Sequence, residues 1–270
     1  MANSVSVGSV AELWRFAVKS MQGEMLQRAE LTDRGLVGDR SYGLIDQATG
    51  KAASAKSVNE FPGLMGFKAT FVEEPRAGRE PPPVRIEMPD GSLVTSDSGE
   101  ADQALSAWFG REVVLGRAAP VRPSPRRSRI DIKGLVEPGS LLDAFPLSLI
   151  TTSTLRKLCE LQPGSRFDPR RFRMNLVLGT GAPGFLENEW VGRALGVGDA
   201  VRLDVTMLDP RCVMTTLPQD DLPEDADILR TLTKHNRHQV ADLGRLPCAG
   251  VYAVVTAPGI IRVGDDLRLG

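Results

Sequence analysis

The chain has 270 residues, 41% of them hydrophobic and 25% charged, the balance of a globular protein with one large or two modest domains rather than a disordered chain. Its 33 basic and 34 acidic side chains leave a formal net charge of -1, which argues against a protein that coats nucleic acid through a broad basic surface. No apolar run approaches the ~18 to 20 residues that span a bilayer, and three cysteines, Cys159, Cys212 and Cys248, are too few for a disulfide framework.

Met1 to Val10 carries no charged segment followed by an apolar one, so no secretory signal is expected and a reducing cytoplasm is the expected location. The two histidines, His235 and His238, all but exclude a His-rich zinc site. No Cys-x-x-Cys or Walker loop occurs. The 27 glycines and 19 prolines fall in short clusters, which favours many short strands joined by turns.

In chain order, Val10 to Val18 reads as a strand and Ser41 to Asp46 as another. Val84, Ile86 and Met88 alternate with Arg85 and Glu87, the period of a half-buried strand, and Pro89-Asp90-Gly91-Ser92 supplies a hairpin turn. Ser98 is placed to cap a helix whose apolar stripe is Ala101, Ala104, Leu105, Trp108 and Phe109. Residues 117–133 hold three prolines and five arginines, a solvated linker or else a basic strap near an anionic ligand. A strand over Leu147 to Ile150 and a helix over Ser153 to Leu161 open the second half. Strands follow at Asn175 to Leu178 and Val201 to Leu208, with a helix capped by Asp221 and starting at Pro223. Gly250 to Thr256 and Ile260 to Val263 flank the turn Ala257-Pro258-Gly259. One segment is echoed: Val197-Gly198-Asp199-Ala200-Val201-Arg202-Leu203 matches Val263-Gly264-Asp265-Asp266-Leu267-Arg268-Leu269. Two such entries suit the corners of a small closed or partly open β-barrel.

Three clusters carry possible chemistry. Cys212 follows Pro210-Arg211 at a strand end; it is either a small buried hydrophobe or a thiolate favoured by the adjacent guanidinium. Cys159, between Leu158 and Leu161, fits a packed helix position, and Cys248 is open to either role. Arg166-Phe167-Asp168-Pro169-Arg170-Arg171-Phe172-Arg173-Met174-Asn175 is a solvated charged loop or a grip for phosphate or carboxylate. Lys19-Ser20 and Asp39-Arg40 stand at strand ends, where Lys, Ser and Arg can jointly hold an anion.

The order of these motifs resembles the MOSC-domain family, named for the C-terminal domain of molybdenum-cofactor sulfurase, with the N-terminal β-barrel domain that often precedes it. The residues are Val10-Ala11-Glu12-Leu13-Trp14 through Val18-Lys19-Ser20, then Gly38-Asp39-Arg40. In the second half they are Arg171-Phe172-Arg173-Met174-Asn175, Arg211-Cys212 with Thr215-Thr216, and Gly250-Val251-Tyr252 through Val263-Gly264-Asp265. The chain is similar in particular to the mitochondrial amidoxime-reducing component and its bacterial relatives.

The resemblance implies a β-rich α+β protein: a smaller N-terminal β-barrel-like domain over residues 1–117, a basic Pro-rich linker over 118–134 and a MOSC-type β-barrel domain over 135–270. It implies a molybdenum cofactor (Mo-molybdopterin) between the domains, with Cys212 as molybdenum ligand and catalytic residue. Lys19, Ser20 and Arg40 match positions at the pterin phosphate; Arg173, Asn175, Arg211 and Tyr252 match others lining the cofactor. The implied function is reduction of N-hydroxylated compounds, such as amidoximes and hydroxylamines, with electrons from an external ferredoxin, flavoprotein or cytochrome. The alternative is a non-catalytic carrier or sulfuration factor for the cofactor. Neither nucleic acid nor membrane is an expected partner. The chain departs from the family at Phe16-Ala17, where Tyr-Pro is frequent, at Pro210, where serine is frequent, and at Ala144-Phe145, where small hydroxylated residues are found.

Overall fold

The computed structural model describes residues 4–118, 141–142, 145–181 and 183–270. The expected linker lies outside the described residues apart from Ala118, as does Ala144. The strands of the first half are β1 (Val5–Arg15), β2 (Glu24–Leu26), β3 (Arg28–Thr32), β4 (Gly35–Leu36), β5 (Tyr42–Asp46), β6 (Lys68–Phe71), β7 (Val84–Glu87), β8 (Leu93–Thr95) and β9 (Val113–Arg117), with helix α1 (Ala101–Phe109). The second half contributes β10 (Leu147–Thr151), α2 (Thr152–Leu161), α3 (Pro169–Phe172), β11 (Leu176–Gly179), β12 (Ala194–Val197), β13 (Val201–Pro210) and α4 (Asp227–His235). It ends with β14 (Arg237–Gln239), β15 (Arg245–Ala257), β16 (Gly259–Arg262) and β17 (Asp266–Leu269).

Seven strands form a closed barrel in the order β10-β11-β1-β17-β12-β13-β15, with β15 pairing back onto β10. Seven strands cannot close through antiparallel pairings alone, because each reverses direction and seven reversals do not return to the start. One parallel pair resolves the parity: Leu149–Thr151 of β10 runs parallel to Leu176–Leu178 of β11. A parallel pair needs a long crossover, and α2 and α3 supply it. Closure leaves no free edge within the ring. Its interior is filled by apolar side chains from every stave, among them Val10, Leu149, Leu178, Leu203, Val251 and Leu267.

The two halves of the sequence are interleaved. β1 is a stave of the barrel, paired with β11 and β17, and β3 pairs with β16. A register shift between Val10 and Glu12 lets both Val10 and Leu13 face the barrel core, which a period of two would forbid. β1 extends further toward the N-terminus than the sequence pattern suggests, and the chain leaves the strand after Arg15. The echoed segments form adjacent corners: Val197 pairs with Leu267, and Gly198 N–H bonds to Asp266 O at 2.9 Å. The N-terminal half builds a second core around Leu44, Phe61, Phe67, Ile86 and Leu105, wrapped by the pair β5–β9 and the sheet β6-β7-β8.

Three local expectations are corrected. Glu100, not Ser98, precedes α1; the Ser98 hydroxyl instead donates to Thr95 O at 2.8 Å within the preceding turn. The last helix starts at Asp227 rather than Pro223, because Asp221 is held by Arg166 and Arg170 and cannot cap it. Cys159 is exposed, since α2 buries the face formed by Ser153, Thr154, Leu155 and Leu158.

Candidate functional site

β13 ends at Pro210, paired with Cys248 of β15, and Arg211 N–H continues the ladder to Pro247 O at 2.8 Å. Cys212 then takes extended backbone (φ -131°, ψ -174°) and opens the 3-10 turn Val213–Thr216. Thr215 locks this turn onto the Cys212 carbonyl through its N–H (3.2 Å) and its hydroxyl (3.0 Å). Cys212 is half-buried and, with Met214 and Leu217, packs against the core of the N-terminal half. The thiol thus stands on the seam between the two cores. Cys248 is its opposite: fully buried, with burial and the Asp209 carboxylate pushing its thiol up to about 12. It is a packed hydrophobe rather than a thiolate.

The arginine-rich segment folds into one helical turn. Asp168 accepts the Arg170 N–H at 3.0 Å as N-cap and Pro169 takes the first position. Arg173 ends the turn in the left-handed region at φ 53°. The arginines then diverge. Arg166 and Arg170 pair on the outside with Asp168, Asp220 and Asp221; burial raises the pKa of the Asp168 carboxyl, but its bonds to Arg170 and the charges of Arg170 and Arg166 together shift it downward on balance. Arg171 and Arg173 turn inward and are 1% and 6% exposed. Arg173 donates to Met21 O, one residue past Ser20, and its guanidinium lies 4.3 Å from the Phe16 ring centroid.

Arg40 meets it there. Its guanidinium lies 5.2 Å from the same centroid, donates to Arg173 O at 3.4 Å and pairs with the buried Asp39 carboxylate. Asp39 also accepts the Phe16 N–H at 2.8 Å. Arg211 is built alike: it pairs with the buried Asp209, donates to Phe172 O and stacks on the Phe172 ring at 5.7 Å. Lys19 N–H donates to Tyr42 O at 2.8 Å, and its ammonium to Leu141 O at 2.9 Å. Ser20 is buried, and its hydroxyl accepts Ala55 N–H at 3.2 Å.

Among the described residues, five non-glycine residues have positive φ, and Ser20 (64°), Arg40 (47°) and Arg173 (53°) are three of them. Each such conformation costs on the order of 1 kcal/mol, and strain of this kind gathers where a chain must aim functional groups. The cations are therefore held in place by backbone that a sequence chosen only for stability would avoid.

Asn175 is fully buried. Its side-chain oxygen accepts Ser148 N–H (3.1 Å) and Ser148 Oγ–H (3.2 Å), and its amide reaches Trp14 O at 3.4 Å. It ties β1, β10 and the start of β11 into one corner. Tyr252 lies directly across from Ser148 in the β10–β15 ladder and stacks on Phe145 at 5.5 Å. The structure thus brings Arg40, Arg173, Arg211 and Cys212 into one chain of contacts, with Lys19 and Ser20 beside it. Asn175 and Tyr252 stand further along the barrel wall. Phe16 and Asp209 are also part of the arrangement, as are Asp39 and Arg171 from the two charged motifs; the resemblance assigns none of the four to the cofactor. The adjacency Asp39-Arg40 and the spacing Asp209-x-Arg211 were the available signals for the two carboxylates.

The comparisons with known proteins cover both halves. A family model described as MOSC domain matches residues 137–268, and one described as MOSC N-terminal beta barrel domain matches residues 7–109. The chain is 26% identical over 290 aligned positions to mitochondrial amidoxime-reducing component 1 of Mus musculus, covering 97% of this chain and 82% of the relative. It is 27% identical to the protein of the same name from Xenopus laevis, again covering 97% and 82%. Among solved structures, the YUAD protein from Bacillus subtilis is similar over 100% of this chain and 98% of its own, at 12% identity and a TM-score of 0.48. With its closed barrel and both models matched in order, the chain belongs to the MOSC-domain family, as a MOSC domain preceded by a MOSC N-terminal β-barrel domain.

Proposed function

We propose that this protein holds a molybdenum cofactor at the Cys212 turn and reduces N-hydroxylated compounds such as amidoximes and hydroxylamines. The single observation that carries the reading is the seam itself: a half-buried thiol is followed along the chain of contacts by Arg211, Arg173 and Arg40, two of them in strained backbone. The relatives' printed name, amidoxime-reducing component, supports the reaction class.

The residues fit such a group. A soft, high-valent metal in a sulfur-rich shell takes a cysteine thiolate as donor, and Cys212 would supply it. Arg40, Arg173, Arg211 and Lys19 would meet the phosphate of the pterin, since guanidinium forks match phosphate oxygens in pairs. The buried Asp39 and Asp209 hold two of those forks in orientation. When bound, the cofactor supplies two-electron oxygen-atom transfer, by which an N-hydroxyl compound, two protons and two electrons become the reduced nitrogen compound and water. Electrons come from an external ferredoxin, flavoprotein or cytochrome, because the sequence carries no cluster-type cysteine set, and its Gly179-x-Gly181-x-x-Gly184 run leads into the 3-10 turn Leu186–Trp190 rather than the α-helix a dinucleotide site requires.

Metal and pterin analysis of protein from a cofactor-competent host tests the reading. Molybdenum near one per chain, with benzamidoxime reduction by a reconstituted donor, is expected for wild type, and loss of activity for Cys212→Ala. A fully loaded and equally active Cys212→Ala variant overturns the ligand assignment. Loading without N-reduction selects a carrier role.

A further inference from the structure

Arg171 belongs to the arginine motif but reaches neither solvent nor the seam. It is 1% exposed. Its Nε donates to Arg166 O at 3.0 Å, Nη1 to Thr215 O at 3.4 Å and Leu217 O at 3.5 Å, and Nη2 to Pro223 O at 2.8 Å. All four acceptors are main-chain carbonyls. Burial lowers the pKa of this guanidinium, with the charges of Asp225 and Asp168 acting in the opposite direction. A buried cation held this way does not serve an ion pair; it serves the carbonyls.

Three of those carbonyls have a common address. Thr215 and Leu217 lie at the C-terminal end of the turn that Cys212 opens, where carbonyls have no partner within the turn. Pro223 closes the loop that follows. One planar fork thus spans three points of segment 212–223, a task for which a lysine ammonium lacks the reach. The same α3 turn offers Phe172 O to Arg211 and aims Arg173 at the N-terminal half. The ion pairs of Arg166 and Arg170 with Asp220 and Asp221 staple the outer side of this loop, but exposed pairs contribute little.

We propose that Arg171 is the positioning residue for Cys212: it fixes the 3-10 turn from behind, so that the thiol is presented at one place on the seam. The consequence for metal loading rests on the proposed function, whereas the positional role does not. Cysteine-resolved alkylation of the purified full-length, metal-free protein reads it directly. Exposed Cys159 is the internal reference and buried Cys248 reports on folding. In Arg171→Met, Cys212 alkylation by iodoacetamide should rise about tenfold relative to Cys159 while Cys248 stays protected, because the loss of charged hydrogen bonds frees local opening. Arg171→Lys, which keeps a shorter donor, should give a smaller rise of about threefold. An unchanged Cys212 to Cys159 ratio in Arg171→Met, with Cys248 protected, overturns the proposal. Should Arg171→Met expose Cys248, the lysine variant decides: a raised ratio with Cys248 protected supports the proposal, and a wild-type ratio overturns it. Metal content separates the two readings. Wild type without molybdenum would sink the cofactor assignment and leave the alkylation result standing.

Discussion

The guanidinium groups of Arg40 and Arg173, from opposite halves of the sequence, rest on one phenyl ring, that of Phe16. Two like charges are brought together there, and the face of the ring and the Asp39 carboxylate offset their repulsion. The ring occupies space that a side chain at position 23 would fill: a Cβ on Gly23 would lie 2.6 Å from its Cδ1. Phe16 therefore acts as the spacer that fixes where the two forks point.

Replacing that ring should uncouple the forks. Phe16→Leu keeps an apolar side chain but loses both cation–ring contacts, a destabilisation of about 1–3 kcal/mol. Phe16→Tyr keeps the ring face and should stay closer to wild type. Urea unfolding measures the stability, and molybdenum content the consequence for loading. Equal stability and loading of Phe16→Leu and wild type would remove Phe16 from the arrangement.

Glu187 gives a pH prediction. It is fully buried under α2, where Thr151 Oγ1–H (2.6 Å) and Thr154 Oγ1–H (2.7 Å) donate to it, and burial raises its pKa above the ordinary value of 4.5 despite those bonds. Between the unfolded and the raised folded value, the unfolded chain has released its proton and the folded one retains it, so this group makes stability fall as pH rises through that window. Below pH 4.5 its contribution is flat. Glu187→Gln preserves an acceptor for the two hydroxyls and removes the titration. Its stability relative to wild type should therefore grow from about pH 4.5 upward, and a constant difference across pH 4 to 8 in chemical denaturation would contradict this.

Much of the fold is legible where local pattern and tertiary role agree. The alternation at Val84–Glu87 becomes β7, the stripe at Ala101–Phe109 becomes α1, and the echoed Gly-Asp corners sit side by side in the barrel. It is illegible where a partner far along the chain decides. Asp221 has the spacing of a cap for Pro223, yet Arg166 and Arg170, about 50 residues earlier, claim its carboxylate. The motif Arg170-Arg171-Phe172-Arg173 offers no sign that neighbouring arginines face solvent, carbonyls and a ring in turn, because one helical turn and a left-handed residue separate their directions. Proximity of Arg40 to Arg173 across 133 residues likewise follows only from the barrel's use of β1 as a stave.

Gly250 is a sharp test of that barrel wall. It sits within β15 at φ +81°, and a Cβ there would lie 2.4 Å from both Leu149 O and Met174 Cε. It occupies the stretch where the β13–β15 register shifts, between Cys248 and Val251. Gly250→Ala should thus lose about 2 kcal/mol or more, from strained backbone and forced displacement of β10 together. Gly91→Ala is the control: it too has positive φ, at 83°, but its Cβ meets nothing within 4 Å, so it should lose only about 1 kcal/mol. Similar losses at the two positions, measured by urea unfolding, would mean that β15 yields freely at this point.

The anion grip makes the last prediction. Arg40 and Lys19 come from the first half, Arg173 and Arg211 from the second, and a single phosphate-bearing ligand gripped by all four would clamp the two cores. Binding to the folded state alone stabilises by about 2.7 kcal/mol at a ligand concentration 100 times Kd. For a chain of this size that corresponds to a rise in melting temperature of about 5 to 10 °C. Arg40→Ala should reduce both cofactor loading and this rise, and it also strands the buried Asp39 carboxylate, so its metal-free form should already melt lower. Arg34→Ala, an exposed substitution in the β3–β4 turn, controls for a general loss of positive charge and should leave loading and the rise intact. Differential scanning calorimetry of loaded and metal-free protein separates the effects. Equal melting of the two wild-type forms would place the cofactor away from the seam.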